Sequence, residues 1–251
     1  MSDVVLRIND LRKSFVLHTI DGRRVEALRG VELEIHAGEH VALAGSSGAG
    51  KSSLLKCIYR TYEPSSGKVE LRISSGATIE LTGLSDQEMA RVRGRDIGYV
   101  SQFLRAEPRR GALDIVTRAG VSRGLSLSEA REAAAESLRR LNIDEKLWDV
   151  HASVLSGGEK QRINLAAGTI SAPRVLLLDE PVSALDPSNR EAALDLIADL
   201  TTQGVAVLAV FHDVEAMERL ASRIVLMRDG RIEMAGHPEM ILNYLTQGVR
   251  T

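Results

Sequence analysis

One cysteine in 251 residues, Cys57, leaves this chain no internal disulfide and no Cys cluster for structural zinc. Such usage fits a reducing compartment, and Cys57 itself reads as a small apolar residue on a helix. Long apolar runs are lacking too. Nothing approaches the ~20 residues needed to cross a bilayer, and the run at 205–211 has the length of a buried strand. The opening Met1-Ser2-Asp3-Val4 has no basic region followed by an apolar one, so no secretory signal is expected and the chain is expected to be cytoplasmic. A net charge of -2 gives no electrostatic reason to expect nucleic acid as a partner. Internal repeats and low-complexity tracts are absent. What remains, 44% hydrophobic and 26% charged, is the composition of a soluble globular protein with room for one large domain or two small ones.

The most informative stretch is Gly45-Ser46-Ser47-Gly48-Ala49-Gly50-Lys51-Ser52. It follows the apolar run Val41-Ala42-Leu43-Ala44 and leads into Ser53-Leu54-Leu55, so a strand delivers the chain into a glycine loop that opens a helix. That is the context of a phosphate-binding P-loop. Backbone N–H groups from Gly45 through Ser53 must curl around phosphate oxygens, which needs conformations and close approaches that side chains would block. Lys51 is expected on the β- and γ-phosphates, Ser52 on Mg²⁺ through its hydroxyl, and the helix N-terminus adds its positive dipole end.

Around this loop the chain alternates like an α/β protein. Val4-Val5-Leu6-Arg7-Ile8 and Val31-Glu32-Leu33-Glu34-Ile35 read as strands with one wet face, with Asp21-Gly22 as a hairpin turn between them. Residues 68–80 read as further strand after Pro64-Ser65-Ser66-Gly67, and Ile97-Gly98-Tyr99-Val100 as a short one ending at Ser101-Gln102. From 103 to 141 the sequence turns Arg- and Ala-rich and helical, with a capping box at Ser126-Leu127-Ser128-Glu129. Leu155-Ser156-Gly157-Gly158-Glu159 opens a helix running to about Ile170, which Pro173 follows. Val175-Leu176-Leu177-Leu178, apolar without alternation, is a parallel strand covered on both faces. Asp186 and Pro187 start the next helix. Strand 205–211 stops at His212, and Asp229-Gly230 turns a final pair of strands.

Parallel strands gather ligands at their carboxyl ends. Asp179 is therefore expected as the second partner of Mg²⁺, and Glu180, one residue on, as the general base for an attacking water. Gln102 is expected to touch metal or water, and His212 the γ-phosphate. Phe15, in a polar neighbourhood, either packs in the core or stacks on an adenine ring.

Residues 45–52, Gln102, Leu155-Ser156-Gly157-Gly158-Glu159-Lys160-Gln161-Arg162, Val175 to Glu180, Ser183-Ala184-Leu185-Asp186 and His212 follow the order of the ABC ATPase family. They resemble its Walker A, Q-loop, signature, Walker B, D-loop and switch histidine. The resemblance covers nearly the whole chain and implies a P-loop NTPase α/β core with an N-terminal antiparallel β subdomain and a helical insertion. The division would be one domain over 1–251, with 1–102 and 165–251 as the nucleotide-binding core and 103–164 as the helical subdomain. Its cofactors would be ATP and Mg²⁺. It implies a homodimer or ABC heterodimer sandwiching ATP, in which Ser156, Gly157 and Gly158 of one protomer face the phosphate held by Lys51 of the other. Phe15 falls where the family places its adenine-stacking aromatic, and Val182 stands where it often carries Thr.

Val100-Ser101-Gln102-Phe103-Leu104-Arg105, Pro108-Arg109, Arg140-Leu141-Asn142-Ile143, Leu147-Trp148 and Phe211-His212-Asp213 look like the ABC subunits of the bacterial phosphonate carbon-phosphorus lyase system. That resemblance implies partnership with lyase-core subunits in coupling phosphonate to the ribose of ATP, with the segment after Gln102 as an interaction surface. The other reading is the motor of a lipoprotein- or macrolide-export transporter, peripheral to the inner membrane with a transmembrane permease as partner. Chromosome and repair ATPases need a long coiled coil or zinc module between Walker A and signature, and neither is present.

Overall fold

The computed structural model describes residues 3–17, 23–101 and 110–248. In chain order they form β1 (Val4–Leu17), β2 (Arg23–His36), β3 (His40–Ala44), α1 (Lys51–Ile58), β4 (Ser66–Arg72), β5 (Thr78–Glu80), α2 (Asp86–Arg95), β6 (Ile97–Val100), α3 (Ala112–Ser122) and α4 (Leu127–Arg140). Then come α5 (Gly157–Thr169), β7 (Val175–Asp179), α6 (Pro187–Thr202), β8 (Ala206–Val210), α7 (Val214–Leu220), β9 (Arg223–Arg228), β10 (Arg231–Gly236) and α8 (Pro238–Gly248). The Asp21-Gly22 turn, Gln102 and the stretch 103–109 lie outside the described residues.

Two sheets organise the chain. An antiparallel sheet runs β2-β1-β4-β5, and a six-stranded one runs β10-β9-β3-β8-β7-β6, parallel except for β10. This is the expected α/β P-loop architecture with its antiparallel sheet and helices. Every residue of β3, β7 and β8 is buried, as strands covered on both faces require. Alternation sorts them: Leu176 and Leu178 enter a core with Val116, Ile163, Leu194 and Ile197, while Val175 and Leu177 enter another with Leu54, Leu55, Ile58 and the antiparallel sheet's Val5, Ile8 and Val69. Each such buried leucine contributes roughly 1.5–3 kcal/mol. An aspartate at Leu177 would bury a charge without a partner and break the sheet's centre.

Several elements differ from the sequence expectation. The strand region at 68–80 is divided in two, because Ile73, Ser74 and Gly76 turn the chain: Gly76 has φ +87°, its N–H donates to Ile73 O, and Ile73 N–H donates to Ala77 O. Helices α2, α7 and α8 join the ones foreseen. Capping boxes open α2 at Ser85/Glu88 and α5 at Ser156/Glu159 as well as α4 at Ser126/Glu129. Helix α5 opens and ends where the sequence places it, at Gly157 and Thr169.

Candidate functional site

Strand order places the carboxyl ends of β3, β8, β7 and β6 side by side, so the glycine loop after β3, Asp179 and Glu180 at the end of β7 and His212 just past β8 gather at one edge. The loop after β3 is shaped by glycine. Gly45, Gly48 and Gly50 have φ of +138°, +82° and +103°. A Cβ on Gly45 would lie 2.2 Å from Met227 O, and one on Gly50 2.5 Å from Ala27 O. Gly50 caps α1 with no side-chain hydrogen bond, so the helix presents bare N–H groups to whatever occupies the loop. Inside it, the Lys51 ammonium donates to Gly45 O at 2.7 Å and Ser46 O at 2.9 Å. Burial lowers its pKa, against the pull of the Glu180 and Asp179 carboxylates.

The next residue links this loop to β7: Ser52 Oγ donates to Asp179 Oδ1 at 2.8 Å. The other carboxylate oxygen, Oδ2, accepts from the Tyr99 hydroxyl at 3.2 Å. Glu180 sits in the left-handed region at φ +55°, uncommon for a residue with a side chain and frequent at functional sites. Its backbone is tied on both sides, with N–H donating to Val210 O at 3.1 Å and C=O accepting from Gln161 Nε2 at 2.6 Å and Ser183 Oγ at 3.2 Å. Its carboxylate Oε1 is 2.7 Å from His212 Nε2 at the end of β8.

Ser52 is thus paired with Asp179 and Glu180 with His212, the two acids are adjacent in the chain, and Lys51, next to Ser52, lies within the field of both carboxylates. The glycine cradle and bare helix N-terminus suit phosphate. Oxygens of Ser52 and Asp179 suit Mg²⁺, a hard cation that keeps few protein ligands and takes the rest from phosphate and water. Among the described residues there is no cluster of three or more His, Cys, Asp or Glu that could hold a metal ion. Glu180, with His212 against it, has the reach and charge of a base for a water beside that phosphate.

Ser156, Gly157 and Gly158 stand elsewhere. Ser156 and Gly157 are exposed at the start of α5, and no hydrogen bond among the described residues joins them to the P-loop. Phe15 is half-buried; its ring meets Tyr62 edge-to-face at 5.1 Å, and Lys13 lies over it at 4.9 Å.

Sequence reasoning left three side chains without a role. Gln161, 1% exposed on α5, donates to Glu180 O and accepts from Ala184 N–H at 3.0 Å, so one amide fixes both the acid's backbone and the loop after it. Arg162, also buried, donates to Leu141 O, Asn142 O and Asn189 Oδ1, fastening α5 to α4 and α6. Asn164 donates to Ser101 O at 2.7 Å, tying α5 to the end of β6. The repeating polar positions of 158–164 were the available signal: polar residues facing inward on a helix must find buried partners.

Comparison with known proteins adds the following. Residues 28–183 match the family model described as "ABC transporter". The chain is 35% identical over 231 residues to the lipoprotein-releasing system ATP-binding protein LolD of Ruegeria sp. (strain TM1040), covering 92% of this chain and 98% of that one. It is 33% identical over 250 residues to the phosphonates import ATP-binding protein PhnC of Bdellovibrio bacteriovorus, covering 96% and 91%. The dimeric ATP-binding cassette MJ0796, in a post-hydrolysis state bound to ADP and Pi, superposes with a TM-score of 0.83 at 29% identity over 93% of this chain and 98% of that one.

Proposed function

We propose, from the premise that this chain belongs to the ABC transporter family of ATP-binding proteins, that it is the ATP-hydrolysing subunit of a larger assembly. Two copies close on ATP and hand the resulting motion to a partner. The observation that carries this reading is the division of the motif residues into two separate groups. Ser52 bonds to Asp179, Glu180 to His212, and Lys51, beside Ser52, feels the charge of both carboxylates, whereas Ser156 and Gly157 stand exposed on another element. A helix N-terminus with two glycines is suited to reach phosphate across an interface. Lys51 holds and orients the phosphates, Ser52 and Asp179 hold Mg²⁺, which neutralises phosphate charge when bound, and Glu180 takes the proton of the water. Gln102 would join Mg²⁺ or that water; it lies outside the described residues. Phe15 would flank adenine, after giving up its contact with Lys13 or Tyr62.

For the partner we favour a transmembrane permease, because relatives named for lipoprotein release and phosphonate import match almost end to end. No helix among the described residues is long and apolar enough to cross a membrane, so this chain would sit against such a permease. A second reading, the PhnL-like subunit of the phosphonate carbon-phosphorus lyase system, is favoured by the sequence at 100–113 and at Leu147-Trp148. Purification of the tagged chain from its native cell, before and after detergent extraction, separates them. A permease in the detergent fraction supports the transporter reading, and lyase-core subunits without a permease overturn it in favour of the second.

A further inference from the structure

We infer that Tyr99 is a positioning residue for the metal-holding carboxylate: its hydroxyl fixes the rotation of the Asp179 carboxylate and so the way it faces Mg²⁺. The inference rests on the reading of Ser52 and Asp179 as the metal-holding pair.

The geometry follows from register. In the parallel pair of β6 and β7, Tyr99 lies beside Leu177. Side chains alternate faces, so Asp179, two residues further, projects from the same face as Leu177 and about 7 Å beyond it. A phenol lying along the strand spans that gap, and the Tyr99 hydroxyl donates to Asp179 Oδ2 at 3.2 Å. The ring is fixed from a second element: Tyr59, at the C-terminal end of α1, stacks on it at 4.8 Å with planes 24° apart. Arg93 lies 4.9 Å over Tyr59 and donates to its backbone oxygen at 2.9 Å. The helix that carries Ser52 at its start therefore braces, at its end, the tyrosine that holds Asp179.

Both oxygens of Asp179 are thus bonded, to Ser52 on Oδ1 and Tyr99 on Oδ2. A cation arriving at Ser52 meets a lone pair of that hydroxyl, whose proton can stay on Asp179 Oδ1. The Tyr99 hydrogen bond holds the second oxygen from a different element, so the two bonds together keep the carboxylate from rotating and loss of the phenol hydroxyl loosens it. Partners of this kind typically contribute 10- to 100-fold in metal affinity.

Tyr99→Phe keeps the stacked ring and removes only the hydroxyl. The test measures Mn²⁺ binding by electron paramagnetic resonance with ATP present, alongside ATP affinity without metal, for the full chain and for Tyr99→Phe and Asp179→Asn. The expected result is about tenfold weaker Mn²⁺ binding in Tyr99→Phe, with metal-free ATP affinity unchanged. Wild-type Mn²⁺ affinity in Tyr99→Phe, together with its loss in Asp179→Asn, overturns this inference alone. Wild-type affinity in Asp179→Asn overturns the metal assignment beneath it. Equal losses of metal-free and metal-loaded ATP binding in Tyr99→Phe make the tyrosine a packing residue and overturn the inference as well.

Discussion

His40, at the first position of β3, should make this protein acid-sensitive before its carboxylates do. Its ring is completely buried against Phe211, with centroids 5.8 Å apart, and neither ring nitrogen has a hydrogen-bond partner among the described residues. Burial pushes its pKa from the ordinary 6.5 down to about 3. Above pH 6.5 the imidazole is neutral in folded and unfolded chains and contributes no pH dependence. Below it, the unfolded chain takes up a proton that the folded chain refuses, so stability is lost as pH falls toward the folded value. At 1.36 kcal/mol per pH unit, the loss is about 2 kcal/mol at pH 5 and about 5 kcal/mol at the limit. Glu88, Glu129 and Glu159 have lowered pKa values through their capping bonds to Ser85, Ser126 and Ser156. Their stabilisation fades only below their unfolded value of 4.5, so the window from pH 5 to 7 isolates His40 from them. Urea unfolding at pH 7 and pH 5, for wild type and His40→Leu, measures the effect. The variant should be at least as stable at pH 7, because two unpaired nitrogens leave the core. It should also lose about 2 kcal/mol less than wild type on going to pH 5. Equal losses in both proteins would refute the reasoning.

Other substitutions probe the site. Glu180→Gln should retain ATP binding, read with a fluorescent nucleotide, while turnover falls on the order of 10²- to 10⁴-fold, the usual worth of a general base; normal turnover removes Glu180 from that role. Gln161→Leu removes the amide's bonds to Ala184 N–H and to Glu180 C=O. It should cost about 2–4 kcal/mol in denaturant unfolding and lower turnover by loosening the Glu180 backbone, whereas unchanged turnover would confine Gln161 to a stabilising role.

How far the sequence could be read depended on the range of the interaction involved. Glycine conformations at 45–50, the cap at Asp186, the turn at Asp229-Gly230 and the unbroken apolar runs of β7 and β8 are local, and the structure has each where the sequence places it. Helix α2 buries only Met89 and Val92, too few to mark an apolar stripe, although the Ser85–Glu88 spacing carried its cap. Glu180 is recognisable from its neighbour Asp179, but its left-handed backbone and the amide of Gln161 that holds it depend on residues 19 positions apart. Tyr99 reads as a strand aromatic until register brings it beside β7. His40 gives the same lesson in reverse, a polar residue at a strand's start that packing buries completely.

The central claim, an ATP site built from two chains, is tested most directly by mixing two inactive variants. Lys51→Ala removes the phosphate-holding amine. Gly157→Asp sets a negative charge where the partner's phosphate would lie, at a position where an added Cβ meets nothing within 4 Å, so the fold is spared. In a mixed dimer one site carries both lesions and the other carries neither. Half the dimers are mixed and half their sites intact, so equal amounts of the two variants should regain about a quarter of wild-type ATPase activity. A mixture as inactive as its parents would contradict the shared site.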